Sequence, residues 1–187
     1  MIFEPRNITL KSGAVCTLRP THPDDSEQMI DYMKQTAGET EYLLRYPDEV
    51  NYTLEQAQTL LRRLMADPYT VMMVGIVNGE VAGNCSIGGF GEKRKLLHRC
   101  SMAIALKQAY WDLGIGTAMI GYLTELAGKI GYLQMDLEVV ADNVRAQALY
   151  AKCGFVPTGR RSRALKFDDG TYHDEIIMVK YLDQEVK

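Results

Sequence analysis

The sequence of 187 residues predicts a mixed α/β (α+β) fold built on a mostly antiparallel sheet. Two turn signals, Asn78-Gly79 and Asp168-Asp169-Gly170, each lie between strand-like runs and predict antiparallel hairpins. An amphipathic helix over 115–130 has a strand-like run before it, and a strand and a second helix after it. Hairpins combined with this strand–helix–strand–helix series are typical of a mixed α/β layout.

The first half of the chain alternates between strand and helix signals. Loose alternation of β-branched residues around Ser12-Gly13 predicts two short paired strands or one bent strand. Helical spacing of apolar residues predicts two helices, and the second begins at a capping-box sequence. The predicted ranges are 8–19 for the strand region, 24–37 and 54 up to Pro68 for the helices, and 39–51 for a loop without either period.

The second half supplies most of the sheet. Three predicted strands precede the long helix, and a strand, a short helix and a hairpin follow it. A basic stretch in this half is predicted to be a solvated loop. The predicted strands are 69–77, 80–90, 99–106, 135–140, 155–167 and 172–181, the short helix covers about 142–154, and the basic loop is 92–95.

Composition limits the class of protein. Hydrophobic residues at 47% and charged residues at 24% are typical of an ordinary globular protein, and we expect one domain over 1–187. The net charge of −3 argues against nucleic acid as a partner. The N-terminus lacks a secretory signal, and no apolar run approaches the ~20 residues that cross a bilayer. We therefore expect a cytoplasmic protein without a membrane partner.

The four cysteines are scattered along the chain without any C-x-x-C spacing. This pattern favours buried, reduced thiols over disulfides or a zinc site, and we expect no metal. The cysteines are Cys16, Cys85, Cys100 and Cys153.

The loop before the long helix is the strongest candidate for a binding site. Gly114 and Gly116 lie at the point where this loop enters the helix. Glycines leave backbone N–H groups unshielded, and the helix start carries the positive end of a dipole. The segment 112–117 is therefore predicted to attract phosphate.

Five short motifs follow one another in this half of the chain: Ala-Ile-Ala-Leu at 103–106, Trp-Asp-Leu-Gly-Ile-Gly-Thr at 111–117, Leu-Glu-Val at 137–139, Asn143, and Ala-Leu-Tyr-Ala-Lys-Cys-Gly-Phe at 148–155. Together they resemble the GNAT superfamily of acetyl-CoA-dependent N-acetyltransferases. The resemblance covers 98–155 in motif and the whole chain in element order. It implies a sheet of about seven strands flanked by about four helices.

Within the superfamily, Trp111 and the Asp-Gly-x-Tyr-x-Asp sequence at 169–174 resemble one branch. That branch contains ribosomal-protein alanine acetyltransferases and amino-acid or small-amine acetyltransferases. Trp111 is also a departure, because the superfamily usually has Arg or Gln at this position. The backbone must then hold phosphate, and the Trp111 ring has a simpler interpretation as a packing anchor of the loop.

The resemblance implies acetyl-CoA as the co-substrate. The strand end would pair with the pantetheine arm, and the loop would bind the pyrophosphate. Asn143 would contact CoA, and it is also predicted to be the N-cap of its helix. The implied cofactor-binding residues are Ile104, Ala105, Leu106, Trp111, Asp112, Leu113, Gly114, Ile115, Gly116, Thr117, Asn143, Ala146 and Tyr150.

Acetyl transfer to an amine needs a base and a proton donor for the thiolate. By resemblance, Tyr150 faces the CoA sulfur as the acid, although packing on its helix is an alternative. Glu138 and His98 compete as the general base, and a lone histidine is more often structural. Water alone, or a base in the segment 39–46, remains a further alternative.

The acceptor is predicted only as a primary amine of a small molecule, an amino acid or a peptide N-terminus. Acidic residues could receive a cationic amine, whereas a basic stretch could receive an acidic or RNA-associated substrate; solvated charges explain both equally well. The acidic residues are Glu39, Glu41, Asp174 and Glu175, and the basic ones are Arg160, Arg161, Arg163 and Lys166. A homodimer is compatible with the sequence.

Two functions of other classes compete with acetyl transfer. One is a non-catalytic acyl-CoA-binding sensor that keeps the loop without a working base. The other is a dinucleotide oxidoreductase built on Gly114-x-Gly116, which is disfavoured because Met119 replaces the third glycine and antiparallel strands dominate the first half.

Overall fold

Eight strands and four α-helices follow one another over residues 1–183, which the computed structural model describes. The strands are β1 (Arg6–Thr9), β2 (Val15–Pro20), β3 (Val71–Val77), β4 (Glu80–Gly89), β5 (Arg99–Leu106), β6 (Gln134–Val140), β7 (Val156–Lys166) and β8 (Tyr172–Tyr181). The helices are α1 (Ser26–Glu39), α2 (Leu54–Ala66), α3 (Ile115–Ile130) and α4 (Val144–Lys152). The eight strands form one sheet in the order β1-β2-β3-β4-β5-β6-β8-β7.

The predicted mixed α/β fold with a mostly antiparallel sheet is confirmed. The sheet has eight strands instead of about seven because the region around Ser12-Gly13 folds as two paired strands, the first of the two alternatives. Asn78 and Gly79 both have positive φ, at 52° and 83°, as the two central residues of a type I′ turn require. Thr53 caps α2 by accepting from the Gln56 N–H at 3.2 Å, as the capping box predicts.

Helices cover both faces of the sheet. Val74 packs with Met29 and Tyr32 of α1, whereas the neighbouring Met73 belongs to the larger core that includes α3. Successive strand residues point to opposite faces, so α1 and α3 lie on opposite sides. Within residues 1–183 no helix is long and apolar enough to cross a membrane.

The four cysteines are free, as predicted. Cys16, Cys85 and Cys100 are buried in the core, and Cys153 is partly buried at the end of α4. Burial raises the pKa of Cys16 to about 11 and that of Cys100 to about 12. These thiols therefore stay protonated at neutral pH and serve the core as small apolar groups.

The pairing of β5 with β6 is parallel and short. Residues 99–101 pair with residues 134–136, and within the described chain no pair follows, although both strands continue. Every other neighbouring pair in the sheet is antiparallel. This sheet differs from the doubly wound parallel sheet of dinucleotide oxidoreductases, so that alternative is not supported.

Asp136 joins the two strands at the last pair. One carboxylate oxygen accepts from Arg99 Nε at 2.9 Å and from Arg99 Nη2 at 2.5 Å, and the other accepts from Gln134 Nε2 at 2.6 Å. Only 6% of Asp136 is exposed, so these hydrogen bonds replace most of its contacts with water. The Arg99–Asp136 ion pair therefore connects β5 to β6 at the last paired residues, beyond which the two strands separate.

Asp136→Asn should therefore destabilise the protein by about 2 kcal/mol, below the range for fully buried pairs because Arg99 is partly exposed. Urea unfolding measures this change. Asp31→Asn is the control, since Asp31 is exposed on α1 and its side chain makes no hydrogen bond within residues 1–183, and a change below about 0.5 kcal/mol is expected. Equal free energies of unfolding for Asp136→Asn and Asp31→Asn would show that Asp136 does not stabilise the pairing of β5 with β6.

Candidate active site

Ile104 and Leu106 direct their backbone N–H and C=O groups into the gap between β5 and β6. The Lys107 N–H donates to the Ala82 carbonyl at 3.0 Å, which fixes the side of β5 that faces β4. Alternate residues of an antiparallel ladder point to opposite sides, so the N–H and C=O groups of Ile104 and Leu106 point away from β4. No pairing with β6 reaches these residues within the described chain. They form an open strand edge.

Ala105 faces the other way. Its carbonyl accepts from the Tyr32 hydroxyl at 2.8 Å, and that hydroxyl also accepts from the Asn84 N–H at 3.2 Å. Its side chain packs against the cluster of α1. The structure therefore does not bring Ala105 to the gap with its two neighbours, although the sequence motif includes it.

The start of α3 supplies free amides beside this edge. Gly114 has φ of 94°, and the Ala118 N–H is the first to return to a carbonyl, that of Gly114, at 3.1 Å. The N–H groups of residues 115–117 therefore have no acceptor within residues 1–183. Ile115 is fully buried and fixes the helix start in the core, whereas Leu113 is only partly buried. The geometry suits an anion.

The two glycines of the loop act differently. A Cβ at Gly114 would meet nothing within 4 Å, so this glycine serves the left-handed backbone and leaves open space. A Cβ at Gly116 would lie 3.1 Å from Leu149 Cδ2 and 3.2 Å from Leu106 Cδ1. Gly116 therefore allows α3 to approach β5 and α4 closely.

Trp111 anchors the loop to the strand edge. Its Nε1 donates to the Leu106 carbonyl at 2.9 Å. The Arg145 guanidinium of α4 lies 4.2 Å from the centre of the Trp111 ring and donates to Asp112 Oδ2 at 2.8 Å. Asp112 has φ of 58° and its side chain is largely exposed. Trp111 thus has the contacts of a packing anchor.

Tyr150, Asn143 and Ala146 lie on α4. Asn143 is the N-cap of α4, as predicted, because its Oδ1 accepts from the Ala146 N–H at 3.1 Å. Tyr150 is 9% exposed and packs edge-on against Phe155. Its hydroxyl has no hydrogen-bond partner in the described chain, yet it is not fully buried, so it reaches accessible space. Burial raises the pKa of Tyr150 to about 12.

Glu138 lies on the face of β6 opposite α3. Its Oε1 accepts from Arg161 Nη2 at 2.7 Å, and Arg161 Nη1 donates to Glu175 at 2.7 Å. About half of the Glu138 side chain is exposed. A carboxylate in this position is accessible to a ligand but already paired with a cation.

His98 lies just before β5, at the end where β5 and β6 are joined. Its side chain is exposed, and its carbonyl accepts from the Leu133 and Gln134 N–H groups. At about 3.3 Å per residue, it is roughly 26 Å along the strand from Leu106. His98 therefore lies at the end of β5 remote from the open edge at Ile104 and Leu106.

The acidic and basic candidates for the acceptor largely pair with one another. Asp174 accepts from Arg160 at 2.7 Å, and Arg163 lies over the Tyr172 ring at 3.9 Å. Glu39 accepts from the Gln108 N–H at 2.7 Å and so ties the end of α1 to the turn before α3. The loop after α1 also reaches the last hairpin, where the Asp168 N–H donates to Tyr46 at 2.9 Å.

Sequence patterns did not single out Arg145 as a functional candidate. They also did not show that Arg161 bridges Glu138 and Glu175. Both contacts join residues far apart in sequence, 33 positions for Arg145 with Asp112 and 23 for Arg161 with Glu138. The signal available was weak: Arg145 is the second residue after Asn143, on a helix whose start was predicted to contact CoA.

The opened parallel pair, the strand edge of β5 and the amide-lined start of α3 lie side by side in this fold. Residues 28–155 match the model of the Acetyltransferase (GNAT) family, which is more than half of the chain. The chain therefore belongs to this family. No curated protein matches it.

Solved structures share the fold at low sequence identity. A GNAT-family acetyltransferase from Streptococcus pneumoniae is 23% identical with a TM-score of 0.84, covering 89% of this chain and 99% of that one. The protein yncA from Salmonella typhimurium, solved with its cofactor acetyl-CoA, is 18% identical with a TM-score of 0.79 over 92% and 96%. A ribosomal-protein-alanine N-acetyltransferase from Brucella melitensis is 20% identical with a TM-score of 0.77 over 88% and 98%.

The predicted enzyme class is thereby confirmed: the protein is an acetyl-CoA-dependent N-acetyltransferase. The resemblance seen in the motifs is confirmed as well.

Gly114→Val should weaken CoA binding at least about 10-fold, because a β-branched residue is strained at positive φ and its side chain enters the open space of the loop. Trp111→Phe should cost only a few-fold, since one hydrogen bond of about 1 kcal/mol is lost. Titration calorimetry measures both dissociation constants. Gly13→Val is the matched control, because Gly13 also has positive φ and open surroundings but lies in the β1–β2 turn. A larger effect of Trp111→Phe would show that the side chain holds the cofactor.

Tyr150 should remain protonated well above neutral pH. Its acid form is the one that donates a proton, and a raised pKa of about 12 means that this form is lost only as the pH rises through that value. The ultraviolet difference between the protein and Tyr150→Phe should show no Tyr150 phenolate near the usual tyrosine pKa of about 10. A phenolate that appears at or below that pH would contradict the buried position.

Proposed function

We propose that the protein transfers the acetyl group of acetyl-CoA to the primary amine of a small molecule, an amino acid or a peptide or protein N-terminus, by direct attack of the neutral amine. The open edge of β5 beside the start of α3 is the observation that carries the proposal. It offers a strand-like partner and an anion site in one continuous surface.

The residues present fit acetyl-CoA. The Ile104 N–H and C=O and the Leu106 N–H have no partner within residues 1–183 and can pair with the amides of the pantetheine arm, whereas the Leu106 carbonyl already accepts from Trp111. The N–H groups of residues 115–117 are free for the pyrophosphate. The space in front of Gly114 is open. Asn143 uses Oδ1 for the helix cap and keeps Nδ2 for a further contact. Acetyl-CoA supplies the activated thioester carbonyl and the thiolate leaving group.

Tyr150 is the proton donor in this proposal. Its hydroxyl has no partner in the described chain and reaches accessible space, and its raised pKa keeps the proton on the phenol at neutral pH. The packing against Phe155 holds the ring in place. A fixed, protonated hydroxyl can donate to the developing thiolate without reorganising.

Glu138 is the general base, acting directly or through a water molecule. It is an accessible carboxylate on the stretch of β6 that lies beyond the last pair with β5. Arg161 holds it in place, and an incoming amine or water must share or replace that contact. We do not extend the base role to His98, because it lies at the joined end of the strands.

The acceptor approaches the face of the sheet that carries Glu138. Ser101 and Ala103 of β5 are exposed there, because α1 and α2 cover β3 and β4 instead. The link between Tyr46 and Asp168 borders this face at one end. On this face three carboxylates pair with the guanidinium groups of Arg99 and Arg161, which leaves an excess of negative charge for an ammonium group; the carboxylates are Asp136, Glu138 and Glu175.

A single domain, a cytoplasmic location and a homodimer stay predictions.

Assays of thiol release with amino acids, polyamines and N-terminal peptides test the proposal. With a good acceptor, Tyr150→Phe should lower kcat about 100-fold, and Glu138→Gln should lower kcat/KM by a similar factor near neutral pH. The Glu138→Gln deficit should shrink as the pH rises, because the amine then loses its proton without help.

Two variants serve as controls. Tyr122→Phe removes a hydroxyl that donates to the Glu4 carbonyl, and Glu125→Gln removes a carboxylate that pairs with Arg6; neither residue is in the proposed site. Both controls should retain full activity. Unchanged turnover in Tyr150→Phe and Glu138→Gln would overturn the assigned roles, and absence of thiol release with every amine would overturn the acceptor class.

A further inference from the structure

We propose that Arg145 is a cationic ligand of the CoA pyrophosphate, and that Asp112 holds its guanidinium at the loop until the cofactor displaces the carboxylate. This inference rests on the proposed use of the α3 start as the pyrophosphate site. It assigns a charged contact to a site that otherwise offers only backbone amides.

The position of Arg145 is the first argument. Its guanidinium donates to Asp112 at 2.8 Å and lies 4.2 Å from the centre of the Trp111 ring. Asp112 precedes Gly114 by two residues, so the cation lies at the head of the loop that carries the free N–H groups. A small rotation of a long side chain would suffice to reach an anion bound there.

The strength of the present contact is the second argument. The Arg145 side chain is 49% exposed and that of Asp112 is 84% exposed, and exposed ion pairs contribute little to stability. A pyrophosphate offers two negative charges and oxygens that match the guanidinium fork. The exchange of Asp112 for the pyrophosphate is therefore favourable for Arg145.

Trp111 provides the surface on which this exchange occurs. A guanidinium over an indole ring keeps its charge and its planar donors while its edge stays free. Trp111 itself is fixed by the hydrogen bond from Nε1 to the Leu106 carbonyl. The ring thus holds Arg145 beside the loop whether its partner is the carboxylate or a phosphate.

Asp112 then opposes the cofactor in two ways. It occupies the donors of Arg145, and it places a negative charge beside an anion site. This leads to opposite signs for two substitutions in one ion pair. A purely structural clamp between α4 and the loop would give the same sign for both, because either substitution breaks the same contact.

The test measures binding without turnover. Titration calorimetry gives dissociation constants for CoA, 3′-dephospho-CoA and pantetheine, with the wild type and four variants. Arg145→Gln should weaken CoA and 3′-dephospho-CoA equally, by about 10- to 100-fold as for loss of one charge-assisted hydrogen bond, and should leave pantetheine unchanged. The CoA dissociation constant of Arg145→Lys should lie between those of the wild type and Arg145→Gln, since lysine keeps the charge but lacks the planar guanidinium fork. Asp112→Asn should tighten CoA by a few-fold.

Arg62→Gln is the control, because Arg62 is an exposed arginine on α2 whose side chain makes one hydrogen bond within residues 1–183, to Gln58 Oε1 at 3.5 Å. It should bind all three ligands as the wild type does. Thermal melts without ligand confirm that the variants fold, and the exposure of both partners favours this.

Three outcomes would overturn the inference: equal CoA binding by Arg145→Gln and the wild type, weaker binding by both Arg145→Gln and Asp112→Asn, or a loss restricted to CoA that spares 3′-dephospho-CoA. The last result would assign Arg145 to the 3′-phosphate. Failure of the wild type to bind CoA would instead overturn the proposed cofactor site itself, so the two failures are distinguishable.

Discussion

Asp136 joins β5 to β6 at the end of a parallel ladder only three residue pairs long, and both strands continue beyond it without each other. Backbone N–H and C=O groups left in this way need a partner, which is water or a ligand. The ion pair with Arg99 sets the place where the separation begins. The open edge of β5 and the Glu138 carboxylate on β6 both lie beyond that point.

The candidate site residues around the separated strands lie on both faces of the sheet. On one side, α3 and α4 bring the free amides, Arg145 and Tyr150 together beside the edge of β5. On the other side, Glu138 and its partner Arg161 lie on a face that α1 and α2 leave uncovered. In the proposed function, the cofactor edge and the general base thus belong to opposite faces of the sheet, which suits a transfer between two substrates.

Local patterns predicted the elements of this fold well, because hairpin turns, capping boxes and apolar periodicity depend on neighbouring residues. Asn78-Gly79, the cap at Thr53 and the cap at Asn143 are examples. Contacts between distant residues were not predictable in this way. Periodicity does not show strand order, so it did not reveal that His98 lies at the joined end of β5, or that Arg161 reaches Glu138 across β8.

Leu106 is the residue at which strand, loop and two helices meet. Its side chain lies against Gly83 of β4 and Gly116 of α3, and Leu149 of α4 lies against the same Gly116. A side chain at either glycine would need space that Leu106 already fills. Bulk at position 116 therefore requires smaller side chains at positions 106 and 149, whereas a Cβ at position 83 would also lie 2.8 Å from the Ala105 carbonyl oxygen, which no change of side chain at 106 or 149 removes.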